Sequence, residues 1–192
     1  MNGRQPAVAA DHLLRALEHI VPGAVDFEEE GMAETPTRMA KALMEMVSGY
    51  YGPRPEEILG RTFPHEGYDE VVVVRSIPFV SLCEHHVLPF TGEVSVGYLP
   101  KNRIVGLSKI PRLVEAFSRR LQVQERMTKQ IADAMDEHLS PKGLVVRVAG
   151  RHSCMSLRGV RSPGEMVTQA VRGVFREDAA ARAEVLDLLG FR

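Results

Sequence analysis

The segment Ser81–His86, which reads SLCEHH, carries residue types that can bind a metal ion and move protons. Cys83 and His86 are three positions apart, so a thiolate and an imidazole can reach one ion from a tight turn. Cys154, in the later segment RHSC, can supply a third ligand. Three protein ligands leave one tetrahedral position for water, which is typical of a catalytic zinc site. Sulfur and nitrogen ligands favour zinc over magnesium or calcium.

Spacing alone leaves other interpretations of the two cysteines open. A free cysteine is often simply a buried, weakly polar side chain, and Cys83 and Cys154 could also form a disulfide. Two cysteines are too few for a small disulfide-stabilised scaffold. In a reducing compartment, a free, metal-bound or catalytic state is favoured over a disulfide.

His85 and His152 each stand beside a proposed ligand. An imidazole has an ordinary pKa of about 6.5, which suits proton transfer next to an activated water molecule. Taken singly, each also fits an ordinary polar histidine. The other histidines lack a companion motif and are interpreted as structural or solvated; they are His12, His19, His65 and His138.

A second group of residues could bind an anion. Ser108 precedes Lys109 and Arg112, which share one face of a predicted helix. The N-terminus of that helix has free N–H groups that favour anions. Arg158 follows Cys154 closely enough to face the same pocket, and arginine suits bidentate phosphate contacts. A solvated basic helix end is the alternative interpretation.

A third group lies between two predicted helices, in the segment LQVQER. The amide of Gln124 and the carboxylate of Glu125 could hydrogen-bond the N1 and amino edge of a guanine. Glu125 is also favourable at a helix start through the helix dipole alone, with no ligand present.

Apolar periodicity predicts the elements that must position these residues. Predicted helices cover residues 11–21, 35–49, 108–121, 127–139 and 179–189. Predicted strands cover residues 71–74, 93–98, 144–148 and 166–175. The segment 51–67, rich in Pro and Gly, is predicted to be a connector, and Ser81–His86 a loop at the edge of the sheet.

This order of elements predicts an α+β fold, in which an antiparallel sheet carries two long helices on one face. An N-terminal helical extension with its connector would cover residues 1–67, and the sheet domain residues 68–192. The chain lacks GxGxxG and GxxxxGK[ST] motifs, which removes the commonest sequence argument for a dinucleotide or P-loop site.

Composition excludes several classes of partner. The 192 residues include 24 Lys and Arg against 25 Asp and Glu, a net charge of −1. This balance argues against an extended nucleic-acid-binding surface and a polybasic membrane anchor. No apolar run approaches the roughly 20 residues of a membrane span, and the N-terminus lacks the apolar core of a signal peptide. We therefore expect a cytoplasmic protein with no nucleic-acid or membrane partner.

Four motifs taken together resemble GTP cyclohydrolase I of the zinc-dependent type. They are CEHH at 83–86, GLSK at 106–109, QVQER at 122–126 and HSCMSLRG at 152–159. The resemblance runs collinearly from about Glu34 to Phe175, which is most of the chain. This combination is highly specific, and it favours the zinc site over a buried or disulfide-bonded state of the cysteines.

The resemblance implies a hydrolase that opens the imidazole ring of GTP. It implies Zn²⁺ held by Cys83, His86 and Cys154, with catalytic histidines at His85 and His152. A metal-activated water would attack C8 of the guanine while His152 protonates N7. Formate would leave, and the ribose would rearrange to give 7,8-dihydroneopterin triphosphate, the first step of folate or pterin biosynthesis.

The resemblance also implies the substrate contacts and the assembly. The matching positions are Gln124 and Glu125 at the purine, Ser108, Lys109, Arg112 and Arg158 around the triphosphate, and Arg38 and Lys41 reaching it from a neighbouring subunit. The family subunit has a tunnelling fold, whose sheets close into a barrel across subunits. Two such rings form a homodecamer, so the active sites would lie at subunit interfaces.

The sequence departs from the family pattern at a few positions. Arg151 replaces a usually acidic residue, Leu121 a common proline, and residues 162–169 a segment usually rich in Thr and Ser. These departures are compatible with a paralogue of altered kinetics or allosteric regulation. Alternatives are another tunnelling-fold purine or pterin enzyme, a non-catalytic nucleotide-binding paralogue, and a structural zinc module, which normally has four protein ligands.

Overall fold

The computed structural model describes residues 5–190 of the chain. These residues separate into two compact units, the first ending at Val47 and the second starting at Ser48. The first unit holds two helices, α1 (Gln5–Ile20) and α2 (Thr35–Met46). Within residues 5–190, no helix is both long and apolar enough to cross a membrane. The outer limits of the predicted domains, residues 1 and 192, lie outside the described residues.

The second unit holds the sheets and the other helices. Its helices are α3 (Pro55–Leu59), α4 (Lys109–Ser118), α5 (Gln124–Leu139), α6 (Ser153–Ser156), α7 (Val174–Glu177) and α8 (Ala179–Leu188). Its strands are β1 (Thr62–Pro64), β2 (Val72–Cys83), β3 (Pro89–Leu99), β4 (Arg103–Val105), β5 (Leu121–Gln122), β6 (Gly143–His152) and β7 (Glu165–Gly173).

The main sheet has five strands in the order β5-β2-β3-β6-β7. The pairs β2–β3, β3–β6 and β6–β7 are antiparallel, and β1 and β4 form a separate antiparallel ribbon. The two residues of β5 run parallel to the end of β2, where Leu82 and Cys83 pair with Leu121 and Gln122. The predicted α+β class is confirmed, but the sheet is mixed rather than wholly antiparallel, because the link from α4 to α5 lies alongside β2.

The two long helices α4 and α5 pack on one face of this sheet. Residues at alternate strand positions point toward them, as expected for a half-buried strand. The least exposed apolar side chains of this core are Val94, Val96, Leu144, Val146 and Val148 from the strands and Leu113, Met127, Ile131, Ala132 and Met135 from the helices. Full burial of one such side chain contributes about 1.5–3 kcal/mol.

A smaller apolar cluster covers part of the opposite face. It contains Val145 of β6, Phe175 of α7, and Val185 and Leu189 in and just after α8. Gly97 leaves room for α8 there, since a Cβ at this position would lie 2.7 Å from Val185 Cγ2. Helices therefore pack on both faces, whereas the sequence predicted them on one.

The predicted connector 51–67 contains regular structure. It includes α3, whose Ile58 and Leu59 are buried in the main core, and β1, which pairs with β4. These contacts attach the segment to the second compact unit, which starts at Ser48. Helices and strands this short carry too few residues to show a period in the sequence.

The backbones of β3 and β6 approach closely at Gly92, so a side chain at this position should destabilise the fold. Gly92 of β3 pairs with Gly150 of β6, and a Cβ on Gly92 would lie 1.9 Å from the Ala149 carbonyl oxygen. We expect Gly92→Ala to lower the free energy of unfolding by about 2–3 kcal/mol, measured by urea denaturation. Gly52→Ala is the control, because its nearest neighbour would be the Ser48 oxygen at 3.7 Å. Equal losses at both positions would contradict this explanation.

Candidate metal centre and active site

The CEHH motif begins inside a strand. Cys83 is the last residue of β2, and its amide donates to the Leu88 carbonyl at 2.8 Å. The amide of Val87 donates back to the Cys83 carbonyl at 2.8 Å, which closes a tight turn that carries His86. The prediction of a loop was wrong for Ser81, Leu82 and Cys83, because all three belong to β2, and β5 pairs with β2 at Leu82 and Cys83.

Strand register brings the second half of the site to the same end of the sheet. Ser81 pairs with Phe90, and Phe90 pairs with His152 on the next strand. Cys83 lies two residues beyond Ser81, and Cys154 lies two residues beyond His152 in α6. Ser81, Phe90 and His152 thus form one row of paired residues across the sheet, and both cysteines lie just beyond this row at the same end.

Cys83, His86 and Cys154 converge in the structure. Their ligand atoms all lie within 4.8 Å of one another, and Cys83 Sγ is 3.7 Å from His86 Nδ1. Two sulfur atoms and one imidazole nitrogen match the donors that zinc takes in three-ligand sites. Burial raises the pKa of the Cys154 thiol, and the neighbouring Cys83 acts in the same direction. A bound cation would act oppositely, because it favours the thiolate.

His85 lies beside these three residues and is exposed on the turn. Its Nδ1 is 3.9 Å from Cys83 Sγ, and its Nε2 is 3.9 Å from Glu84 Oε1. The side chain is thus free to meet a ligand from the solvent side while staying next to the metal-binding group.

An ion pair that the sequence did not predict holds this turn. Both nitrogens Nη1 and Nη2 of Arg126, in the first turn of α5, donate to the two carboxylate oxygens of Glu84 at 2.6 Å. The Arg126 guanidinium lowers the pKa of Glu84. The pair joins residues 42 positions apart, and the parallel pairing of β5 with β2 brings them together.

This ion pair predicts an effect on metal affinity. Arg126→Met should free the turn that carries Cys83 and His86 and weaken zinc binding by about 10-fold, as loss of an outer-shell contact typically does. Competition with a chromogenic chelator measures this affinity. Lys129→Met removes a positive charge from the same helix, where Lys129 pairs with Asp133 and not with the turn. An equal loss of affinity in both variants would contradict a specific role of Arg126.

His152 is held from two sides. Its ring stacks on Phe90 with centroids 4.4 Å apart and planes 7° apart. Its Nε2 lies 3.0 Å from Gln124 Oε1. Burial lowers the pKa of His152 because it disfavours the imidazolium, and the negative charge of Glu125 acts in the opposite direction. The stacking on Phe90 and the contact with Gln124 together orient the imidazole before any substrate binds.

The two purine-contact candidates occupy different environments. Gln124 is fully buried, and its amide is bonded to His152 and to β6 and β7. Glu125 is exposed in a cleft of about 510 Å³, which is also lined by Thr128, Lys129 and Thr168. Of these two side chains, only that of Glu125 exposes a polar group to solvent.

The structure brings one of the predicted phosphate contacts into the metal cluster. Arg158 is exposed, and its Nη1 lies 3.3 Å from His86 Nε2. Ser108 takes the N-cap position of α4 without a side-chain hydrogen bond to the helix, and Lys109 and Arg112 lie in the first turn. Arg112 lines a cavity of about 330 Å³ together with Arg119.

The remaining two candidates lie on α2 in the first unit. The Arg38 guanidinium donates to the Gly31 carbonyl at 3.0 Å and to Thr35 Oγ1 at 2.9 Å. Lys41 is exposed. Their contact with a triphosphate stays a prediction.

Comparisons with known proteins place this site in a family. The family model described as GTP cyclohydrolase I matches residues 10–190. The chain belongs to the GTP cyclohydrolase I family. "GTP cyclohydrolase 1" of Desulforamulus reducens is 51% identical over 85% of this chain and 88% of the relative. That of Wolinella succinogenes is 48% identical over 89% and 94%, and that of Dictyostelium discoideum 42% identical over 97% and 82%.

Membership of the GTP cyclohydrolase I family confirms both the resemblance and the prediction of an enzyme. Sequence reasoning found the residues that could hold a metal ion but missed their supports. Glu84 and Arg126 were visible inside CEHH and QVQER, and nothing in their separation pointed to a pair. Phe90, which stacks on His152, follows the first motif by only a few residues and carries no polar signal.

Proposed function

We propose that this protein opens the imidazole ring of GTP by hydrolysis, releases formate and forms 7,8-dihydroneopterin triphosphate, as the first step of folate or pterin biosynthesis. The family and its relatives support GTP as the substrate. The observation that carries the proposal is the convergence of Cys83, His86 and Cys154 beside the oriented ring of His152.

The cofactor in this proposal is Zn²⁺, held by Cys83, His86 and Cys154. Support comes from the donor set, because two thiolates and an imidazole are typical zinc ligands. When bound, zinc supplies Lewis-acid chemistry and an activated water molecule near neutral pH. Arg126, through Glu84, keeps the ligand turn in place.

His152 serves as the proton donor to N7 of the purine. Stacking on Phe90 fixes the plane of its ring, and the Gln124 contact fixes its rotation in that plane. A positioned general acid accelerates such a step by about 10²–10⁴-fold. His85, exposed next to Cys83, is the second proton-transfer group.

Charged residues bind the two ends of the nucleotide. Glu125 accepts hydrogen bonds from the N–H groups of the guanine edge. Cations and the free N–H groups of a helix start bind the triphosphate. The proposed set is Ser108, Lys109 and Arg112 at α4, Arg158 beside His86, and Arg38 and Lys41 from a neighbouring subunit.

The proposed assembly is a homodecamer of tunnelling-fold subunits in the cytoplasm. Within residues 5–190, β7 has a strand partner on one side only. An open strand edge of nine residues is prone to pair with another chain. Closure of several such sheets into a barrel would remove these edges.

Turnover of GTP by the zinc-loaded protein tests the proposed function. We expect formate and a dihydropterin absorbance band to appear in equal amounts, and both to vanish after the metal is chelated. Readdition of zinc should restore them. Binding of GTP without either product would overturn the proposal and favour a nucleotide-binding paralogue.

A further inference from the structure

Gln124 has an environment that suits a different role from contact with the purine. It is the first residue of α5, and none of its surface is exposed. Its amide nitrogen lies 3.2 Å from the Val148 carbonyl oxygen, 2.9 Å from that of Met166 and 3.2 Å from Thr168 Oγ1. Carbonyl oxygens only accept hydrogen bonds, so the NH₂ end of the amide faces β6 and β7.

The neighbouring threonines support the same orientation. Thr128 Oγ1 donates its single hydrogen to the backbone carbonyl oxygen of Gln124 at 2.7 Å. The 2.7 Å contact between the two threonine hydroxyls must then use the hydrogen of Thr168. Thr168 Oγ1 is left to accept from the Gln124 amide. Rotating the amide by 180° would place its oxygen against two carbonyl oxygens.

The orientation of Gln124 determines the hydrogen on His152. Gln124 Oε1 can only accept, and His152 Nε2 lies 3.0 Å from it. His152 Nε2 must therefore carry a hydrogen, and in the neutral ring Nδ1 is then the unprotonated nitrogen. Because Phe90 stacks in parallel on the ring, the imidazole cannot tilt out of this arrangement without losing that contact.

Gly150 provides the space that this contact needs. A Cβ on Gly150 would lie 2.3 Å from Gln124 Oε1 and 3.3 Å from Gln124 Cδ, while its next neighbour, Phe79 Cζ, would be at an ordinary 3.5 Å. A methyl group at this position would thus act almost entirely on the amide of Gln124.

We propose that Gln124 is a positioning residue that fixes His152 as the Nε2–H tautomer, so that His152 exchanges its catalytic proton through Nδ1. The inference rests on the proposed function, in which His152 protonates N7 of the purine. In that step Nδ1–H of the imidazolium gives its proton to N7, and the neutral ring keeps the hydrogen on Nε2 that Gln124 accepts.

Two measurements on zinc-loaded Gln124→Met test this role. Methionine has a similar length but removes the acceptor, so kcat should fall about 10- to 100-fold while KM for GTP changes less than about threefold. Solid-state ¹⁵N NMR of histidine-labelled protein should show one Nε2–H tautomer for His152 in the wild type and a mixture in the variant. His152→Ala identifies the signals.

A second buried glutamine supplies the matched control. Gln122 is 2% exposed and bonds the Phe117 carbonyl and Gln130, with no contact to His152. Gln122→Met should leave the His152 signals unchanged. Gly150→Ala, which keeps Gln124 but displaces its oxygen, should reproduce the Gln124→Met result if the latter variant folds poorly.

Three outcomes would overturn the inference. They are an unchanged tautomer in Gln124→Met and Gly150→Ala, a raised KM with unchanged kcat, and the same tautomer change in Gln122→Met. Failure of the proposed function is separate, because it would show as a wild type that makes no formate while the NMR signals still report the tautomer.

Discussion

Replacing Cys154 with alanine is expected to remove the bound zinc and to abolish the hydrolysis of GTP. The variant keeps Cys83 and His86, and two protein ligands hold zinc far more weakly than three. The loss of affinity should exceed the roughly 10- to 100-fold that loss of an outer-shell contact costs. The ratio of zinc to protein after extensive dialysis, measured by mass spectrometry of the metal, gives the result.

Met155→Leu is the control for Cys154→Ala, because it changes the next residue of the short helix α6 at nearly constant volume. It should retain one zinc ion per chain. Stoichiometric zinc in Cys154→Ala would show that Cys154 is not a ligand, and the assignment of the metal centre would be wrong.

Replacing His152 with alanine is expected to separate metal binding from catalysis. None of the three proposed ligands changes, so the zinc content should equal that of the wild type. The rate of ring opening should fall by about 10²–10⁴-fold, the range that a positioned proton donor contributes. Formate release under saturating GTP measures this rate.

His138→Ala is a suitable control for His152→Ala, since His138 is exposed in the last turn of α5. It should keep both zinc and activity. A His152→Ala enzyme with wild-type formate release would remove His152 from the mechanism. Loss of zinc in that variant would instead mean that the ring supports the metal centre itself.

The grouping of the candidate metal ligands could be predicted from the sequence because their chemistry is local. C-x₂-H spacing places Cys83 and His86 on one turn whatever surrounds it, and the motif resemblance adds Cys154. The contacts around them depend on strand register, which the sequence does not display. The pair of Glu84 with Arg126 requires β5 to lie parallel to β2, and β5 has only two residues.

Burial explains why the role of Gln124 was also hidden. A glutamine at a helix start has the same appearance in sequence whether its amide faces a ligand or the core. Packing of α5 on β6 places the Gln124 amide against Gly150. Gly150 is therefore informative only once Gln124 and Gly150 are known to be neighbours. The helices α4 and α5, by contrast, show clear apolar stripes and were predicted with ends within a few residues.

The fate of C8 of GTP tests the central claim most directly. Zinc-loaded protein is incubated with GTP carrying ¹³C at C8, and the label is followed by NMR. If the metal centre and His152 open the imidazole ring, the label leaves as formate and the pterin product contains none, with no release from Cys154→Ala. Label that stays in an intact purine, or formate release that is equal with and without zinc, would contradict the account.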